Sequence, residues 1–101
     1  MILIALAAAT APLLPPEIAR DLRCVAIIGV SQNPALAKDG ALYTAIVGAG
    51  AMDATGQSRE AVRDLIFAQV RIIRKTKPSA AESASCTTQM RARIALEGVQ
   101  P

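Results

Sequence analysis

The sequence predicts an all-α protein, a compact bundle of about four helices at residues 17–32, 40–54, 59–76 and 80–96, closed by one disulfide. Residues 58–75 place apolar side chains at helical spacing. Alanine is abundant, and the β-branched residues do not alternate with polar ones. Helix start and stop signals recur along the chain. With 101 residues, 52% of them hydrophobic, we expect residues 12–101 to form a single helical domain.

Residues 1–11 form an apolar segment that ends in small residues and carries no charged side chain. This pattern is typical of a secretory signal peptide, so we expect export to the periplasm or the exterior. One alternative is a first helix of the fold. A membrane anchor is the other, although about 14 apolar residues are fewer than the roughly 20 that a spanning helix needs. We therefore expect no membrane span in the mature chain.

The first helix is predicted at residues 17–32, after a proline-rich lead that blocks an earlier helix. Pro16 suits a first-turn position, and Glu17 and Asp21 lie near the positive N-terminal end of the helix. Residues 24–30 contain no polar side chain, so we expect them to be the most buried segment; a short buried strand is the alternative. The Asn33-Pro34 pair is expected to end the helix.

The second helix is predicted at residues 40–54, with Asp39 as its N-cap and Gly56 as its stop. We expect its inward face to be small, and to consist of Ala45, Gly48, Ala49 and Met52. Residues 46–53 also resemble the glycine-rich turn of dinucleotide-binding proteins. Asp53 occupies the place of that motif's last glycine, and no alternating strands and helices follow, so we reject a nucleotide site.

The third helix, at residues 59–76, has the clearest amphipathic pattern in the chain, and Ser58 is its expected N-cap. Its apolar residues fall within an arc of roughly 160° at about 100° per residue, and we expect the other helices to cover this stripe. The stripe consists of Val62, Leu65, Ile66, Gln69, Val70, Ile72 and Ile73. Gln69, its one polar member, is either a ligand or partner contact, or an amide satisfied in the core or at the stripe's edge.

The fourth helix is predicted at residues 80–96, because Ser79 and Glu82 form a capping-box pattern and Gly98 follows as a stop. Its apolar line is sparse, with Cys86, Met90 and Ile94 spaced four residues apart. We therefore expect burial alone to hold this helix poorly.

The chain has two cysteines, and we predict that Cys24 and Cys86 form a disulfide. An export signal, a single cysteine pair and the lack of metal-ligand spacing together favour an oxidising compartment. The bridge would join the most apolar helix to the least securely packed one. Two buried thiols in a cytosolic protein are the alternative.

The residue types argue against an enzyme. No histidine is present, so histidine-based relays and imidazole metal sites are excluded, and disulfide-bonded cysteines are not nucleophiles. The eight acidic residues are expected at helix starts or on polar faces, without a paired-carboxylate site. We predict no catalytic, cofactor-binding or metal-binding residues.

Positive charge is concentrated in the second half of the chain, since residues 57–101 hold eight basic and four acidic side chains. The candidate basic contact patch is Arg71, Arg74, Lys75 and Lys77. It could meet phosphates, an acidic partner or an anionic membrane, or it could be a solvated helix end. Nucleic-acid binding is not expected, because single-strand readers add stacking aromatic residues and only 2% of this chain is aromatic.

Several segments together carry a resemblance to a known group of proteins. They are an apolar leader, residues 24–28 (CVAII), 47–56 (VGAGAMDATG) and 58–64 (SREAVRD), and a closing Cys-x-x-x-Met-Arg-Ala-Arg at residues 86–93. This arrangement resembles small exported two-cysteine helical proteins of alphaproteobacteria, to which no function is assigned. The resemblance implies the fold and the compartment, and no activity.

Two functional classes follow from these observations. The first is an exported helical binding or interaction protein, either a homodimer or the ligand of another protein. The second is a stress chaperone that exposes its apolar core, because the periplasmic acid-stress chaperones are also small, helical and closed by one disulfide.

Overall fold

A computed structural model describes residues 14–98, which form four α-helices: α1 (Pro16–Ser31), α2 (Ala37–Thr55), α3 (Arg59–Lys75) and α4 (Ala80–Leu96). Over these residues there is no strand, so the all-α prediction is confirmed. Residues 24–30 lie within α1, and the strand alternative is therefore wrong. The predicted signal peptide at residues 1–11 lies outside the described residues. None of the four helices is both long and apolar enough to cross a membrane.

Helix α1 is the centre of the bundle, and α2, α3 and α4 all pack against it. Its second half is buried from Cys24 to Ile28, as predicted, whereas Gly29 is exposed and Val30 is half-buried. Residues 24–28 are apolar on every side, so α1 can accept neighbours all round, whereas the charged side of α3 must face water. The expectation that the other helices cover the α3 stripe is met except at Ile72, since Leu65, Ile66 and Val70 pack half-buried against the core. In that stripe only Val62 and Ile73 are buried, and Ile72 is 49% exposed.

Helix α2 begins three residues earlier than predicted. A short 3₁₀ helix, Pro34–Leu36, leads directly into it, so its N-cap position is Leu36 and the predicted cap Asp39 lies in the first turn. The expected stop is confirmed, since Gly56 has φ 70° and donates its backbone N–H to the Met52 carbonyl. Glycine adopts this left-handed conformation without steric cost.

Serine hydroxyls cap the last two helices, as the sequence predicts. Ser58 Oγ accepts a hydrogen bond from the Ala61 N–H at 3.1 Å, and Ser79 Oγ accepts one from the Glu82 N–H at 3.0 Å. The predicted capping box is only half formed, because the Glu82 carboxylate turns away to Arg23 of α1. A charge-assisted hydrogen bond between α1 and α4 therefore replaces the local hydrogen bond that Glu82 would make in a capping box.

The predicted disulfide between Cys24 and Cys86 is present and joins α1 to α4. The Cα atoms of the two cysteines are 5.0 Å apart, although 62 positions separate them in the chain. Both side chains are buried. The alternative of two separate thiols is therefore wrong.

Candidate interaction groove and buried polar cluster

A surface groove runs along α3, and residues of α1 and α2 form its opposite side. One segment, about 590 Å³ in volume, lies between the second half of α1 and the second half of α3 and includes Thr44 of α2. A second segment, about 470 Å³, continues toward the end of α2 and the start of α3. Thr44 and Ile66 line both segments, so the two segments are adjacent. We call them together the α2–α3 groove.

The α2 wall of the groove is made of small residues. Ala45, Gly48, Ala49 and Met52, which were predicted to face inward, line the groove instead. Ala45 and Ala49 are exposed, Gly48 is half-buried and Met52 is 36% exposed. That prediction is therefore wrong.

The buried face of α2 is a different line of residues, Tyr43, Val47 and Ala51, which are four residues apart and fully buried. Burying the tyrosine ring and the valine against α1 removes more apolar surface from water than burying alanines and glycine would. The small face is consequently turned outward.

The α3 wall is basic. Arg59, Arg63, Arg71 and Arg74 line the groove and fall within about 120° on the helix surface. The described residues that line the two segments include no carboxylate. Phe67 lies among these arginines and is 50% exposed.

The structure divides the predicted basic patch into two parts. Arg71 and Arg74 line the groove beside Phe67. Lys75 and Lys77 are exposed but line neither segment, and half-buried Gln69 also lies outside the lining. Sequence reasoning missed Arg59 and Arg63. Their spacing of four residues on the Phe67 side of α3 could have indicated them.

A second unusual feature is a buried polar cluster at the junction of α1, α2 and α4. The Asp21 side chain is completely buried. Its Oδ1 accepts hydrogen bonds from the Tyr43 hydroxyl at 2.5 Å and from Gln89 Nε2 at 3.0 Å. Arg93 Nη1 lies 3.3 Å from Oδ2, an ion-pair distance without hydrogen-bond geometry. The buried charge is thus partnered from two neighbouring helices.

The cluster raises the pKa of the Tyr43 hydroxyl well above its usual range, mainly because burial disfavours the phenolate. The hydrogen bond that the hydroxyl donates to Asp21 adds to this shift, since it requires the protonated form. Tyr43 is therefore held as a hydrogen-bond donor. The Asp21 carboxylate is completely buried, and the cluster ties α1, α2 and α4 together.

The expectation that Asp21 serves as a helix-start charge is wrong. Asp21 lies between Ile18 and Leu22 on the face of α1 that also carries Val25, and all four residues are buried. An acidic residue inside an apolar stripe was the signal available in the sequence. It indicates a buried, partnered carboxylate, because an isolated charge in a core is prohibitively costly.

A second ion pair also joins α1 to α4. Arg23 Nε donates to Glu82 Oε2 at 2.6 Å, and Arg23 Nη2 donates to Oε1 at 2.9 Å. This bidentate bond lowers the pKa of Glu82 and raises that of Arg23. Together with the Asp21 cluster it holds α4, whose sparse apolar line suggested weak attachment.

Comparison with protein-family models, with curated proteins and with solved structures finds no match. The class of the protein therefore follows from its own architecture. Residues 14–98 form a four-helix protein closed by one disulfide, with an open groove that is small and apolar on one wall and basic on the other.

Proposed function

We propose that this chain is a small exported helical interaction protein, which binds another protein through the α2–α3 groove. The observation that carries the proposal is the partly apolar, open groove with Phe67 half exposed beside it. Exposed apolar surface gathered in one concave place is typical of binding sites, whereas scattered apolar residues are not. The disulfide and the two ion pairs fasten α1 to α4, and α2 and α3 both pack against α1.

Export is supported by two features of different kinds. The first eleven residues have the pattern of a signal peptide, and the chain's cysteine pair is bridged in the structure. Structural disulfides persist mainly in oxidising compartments. The resemblance to small exported two-cysteine helical proteins of alphaproteobacteria agrees with this compartment.

The export proposal is tested by the intact mass of the protein recovered from a periplasmic fraction. We expect a chain that starts near Thr10 or Pro12 and that is two hydrogens lighter than its reduced form. A full-length, reduced chain in the cytosolic fraction would overturn the proposed compartment.

The binding proposal is tested by photo-crosslinking in intact cells that naturally make the protein. A photoreactive phenylalanine analogue replaces Phe67 in the groove, and in a matched control it replaces Ala92, which is exposed on α4. We expect one discrete adduct from position 67, none from position 92, and loss of the adduct when Gly48→Leu fills the groove. Equal adducts from both positions, or no adduct from position 67, would refute binding at the groove.

A stress chaperone is the second candidate, and one observation favours it. Two paired carboxylates, Asp21 and Glu82, both fasten α1 to α4. Because its folded pKa is lowered, Glu82 stabilises the fold above the unfolded value of about 4.3, and this contribution is lost as the pH falls through the folded value. Acid would therefore loosen α4, while the disulfide keeps it tethered.

The chaperone candidate is tested by light scattering of an aggregating client, such as alcohol dehydrogenase, at neutral and acidic pH. Suppression at acidic pH alone is expected, and it should shift toward neutral pH in Glu82→Gln, in which the ion pair is already lost. If client aggregation is the same with and without the protein at every pH, this candidate is wrong.

A further inference from the structure

We propose that the α2–α3 groove takes an amphipathic helix of a partner protein, with small or medium apolar residues facing α2 and acidic residues along the edge that faces α3. The inference rests on the proposed function and adds the chemistry of the occupant. It follows from the length of the groove, the shape of its α2 wall and the charge of its α3 wall.

The length of the groove suits a helix. Its α3 wall extends from Arg59 to Arg74, which at 1.5 Å per residue is about 22 Å, or four helical turns. Helix α3 forms one wall along this whole distance, and the opposite side is formed by α2 beside Arg59 and Arg63 and mainly by α1 beside Arg71 and Arg74. Recognition of an amphipathic helix in a groove uses contacts at this helical spacing.

Gly48 indicates close approach by a backbone. Among residues 14–98, a Cβ atom built on this glycine meets nothing within 4 Å, so packing within the described part of the chain does not require a glycine there. Glycine inside a helix is less stable than alanine by about 1 kcal/mol. The small surface formed by Ala45, Gly48 and Ala49 instead leaves room outside the bundle, where a partner helix can approach α2 closely.

The α3 wall sets the charge of the partner. Arg59, Arg63, Arg71 and Arg74 line the groove, and neither described ion pair involves any of them. The acidic residues Glu60 and Asp64 belong to α3 but do not line the groove. An acidic edge would pair with the four guanidinium groups, whereas a basic edge would be repelled.

The same charge argues against two other occupants. A second copy docking groove to groove would bring two sets of four arginines into one interface, and the groove offers no carboxylate to neutralise them. An anionic membrane surface suits the charge, but a bilayer is flat and cannot reach residues at the base of the groove such as Val62, which is only 3% exposed.

The probe that tests this inference is a displayed library of 18-residue helices. In each member, every position on one face is Ala, Gly, Val or Leu, and every position along both edges of that face is Glu or Lys. The purified, disulfide-bonded protein selects from the library, and the selected helices are then synthesised and titrated. We expect glutamate to be enriched along one edge and lysine to be depleted there.

Charge reversal locates the binding. Arg63→Glu with Arg71→Glu should weaken a selected helix by about tenfold or more. A matched control of equal net charge, Lys38→Glu with Arg91→Glu, reverses two exposed positions outside the groove and should leave binding within about twofold. Gly48→Leu should abolish binding. Far-ultraviolet circular dichroism checks that each variant keeps the helical fold.

Each contrary result has a definite meaning. Selected helices bind in the groove if Gly48→Leu abolishes their binding. If such helices carry lysine or no charge along their edges, the acidic edge is wrong and the proposed function stands. Helices that bind equally well to all variants would overturn the groove as their site. No selected helix, together with binding to phosphatidylglycerol-containing vesicles that the Arg63→Glu/Arg71→Glu variant loses, would assign the groove to a lipid surface instead. Failure of the crosslink at Phe67 would overturn the proposed function itself.

Discussion

Reduction of the Cys24–Cys86 disulfide should lower the stability of the protein by about 4 kcal/mol. The bridge closes a loop whose ends are 62 positions apart. In the chain-entropy model, a loop of this length removes about 14 cal/mol/K from the unfolded ensemble, which is about 4 kcal/mol at room temperature. Small domains are stable by only about 5–15 kcal/mol, so this contribution is a large share of the total.

The structure also predicts that the reduced protein remains folded in the absence of denaturant. The Arg23–Glu82 pair and the Asp21–Arg93 contact still join α1 to α4, and Met90 remains buried. Reduction should therefore change the denaturation midpoint while the helical content at zero denaturant is kept. Backbone amides of α4 should lose hydrogen-exchange protection first, because one of its two buried side chains is Cys86, whose covalent bond to α1 is the one that reduction breaks.

Urea denaturation with and without dithiothreitol measures this effect. With a slope of about 1–2 kcal/mol per molar urea, the midpoint should fall by about 2–4 M. The matched control is the variant Cys24→Ala/Cys86→Ala, which should unfold near the reduced protein and ignore the reductant. A midpoint that moves by less than about 0.5 M on reduction would show that loop closure contributes little here, since about 4 kcal/mol cannot then be assigned to it.

Three further predictions concern the buried polar cluster and the groove. Tyr43→Phe removes a hydrogen bond to a carboxylate and should lower the free energy of unfolding by about 1.5–3 kcal/mol in thermal unfolding. Because the folded pKa of Tyr43 is raised, the contribution of its hydroxyl is complete below the unfolded value of about 10 and is lost as the pH rises beyond it. The chain has a single tyrosine, so ultraviolet absorbance detects its ionisation directly, and titration near the ordinary value would contradict the described burial. Asp21→Asn leaves Arg93 without its counter-charge and should lower the free energy of unfolding by about 2–3 kcal/mol. The control Asp53→Asn, at an exposed position, should lower it by under about 0.5 kcal/mol. Equal losses of the two variants in urea denaturation would refute the role of the cluster. Gly48→Ala should stabilise the protein by about 0.5–1 kcal/mol, because the added Cβ meets no described residue within 4 Å and alanine favours the helix. A lowered melting temperature would show instead that another part of this chain already packs against the α2 wall.

Local signals in the sequence were sufficient to place the helices. Ser58 and Ser79 cap helices at their predicted positions, because a serine hydroxyl satisfies the first backbone N–H groups whatever lies elsewhere in the fold. Gly56 ends α2 because a glycine adopts φ 70° without steric strain. The cysteine pairing was also predictable, since the chain offers a single pair.

Which side of α2 is buried was predicted wrongly. Both Ala45 and Tyr43 are plausible inward residues from the helical period alone, since α2 is apolar on most of its surface. The choice depends on α1, where Asp21 offers the Tyr43 hydroxyl a buried acceptor. A partner 22 positions away in the chain is invisible to a local pattern.

The sequence by itself determined the helical class, the extent of the helices to within about three residues and the disulfide, because these depend on backbone hydrogen bonds, caps and a single available cysteine pair. The tertiary structure decided that α1 and not α3 is the central helix, that Asp21 is partnered inside the core, and that the small face of α2 and four arginines of α3 form a groove. The physical reason is that the burial of a side chain depends on which helices pack around it. The amphipathic pattern of α3 predicts which of its sides avoids water, but only the packed structure shows how far the other helices cover that side.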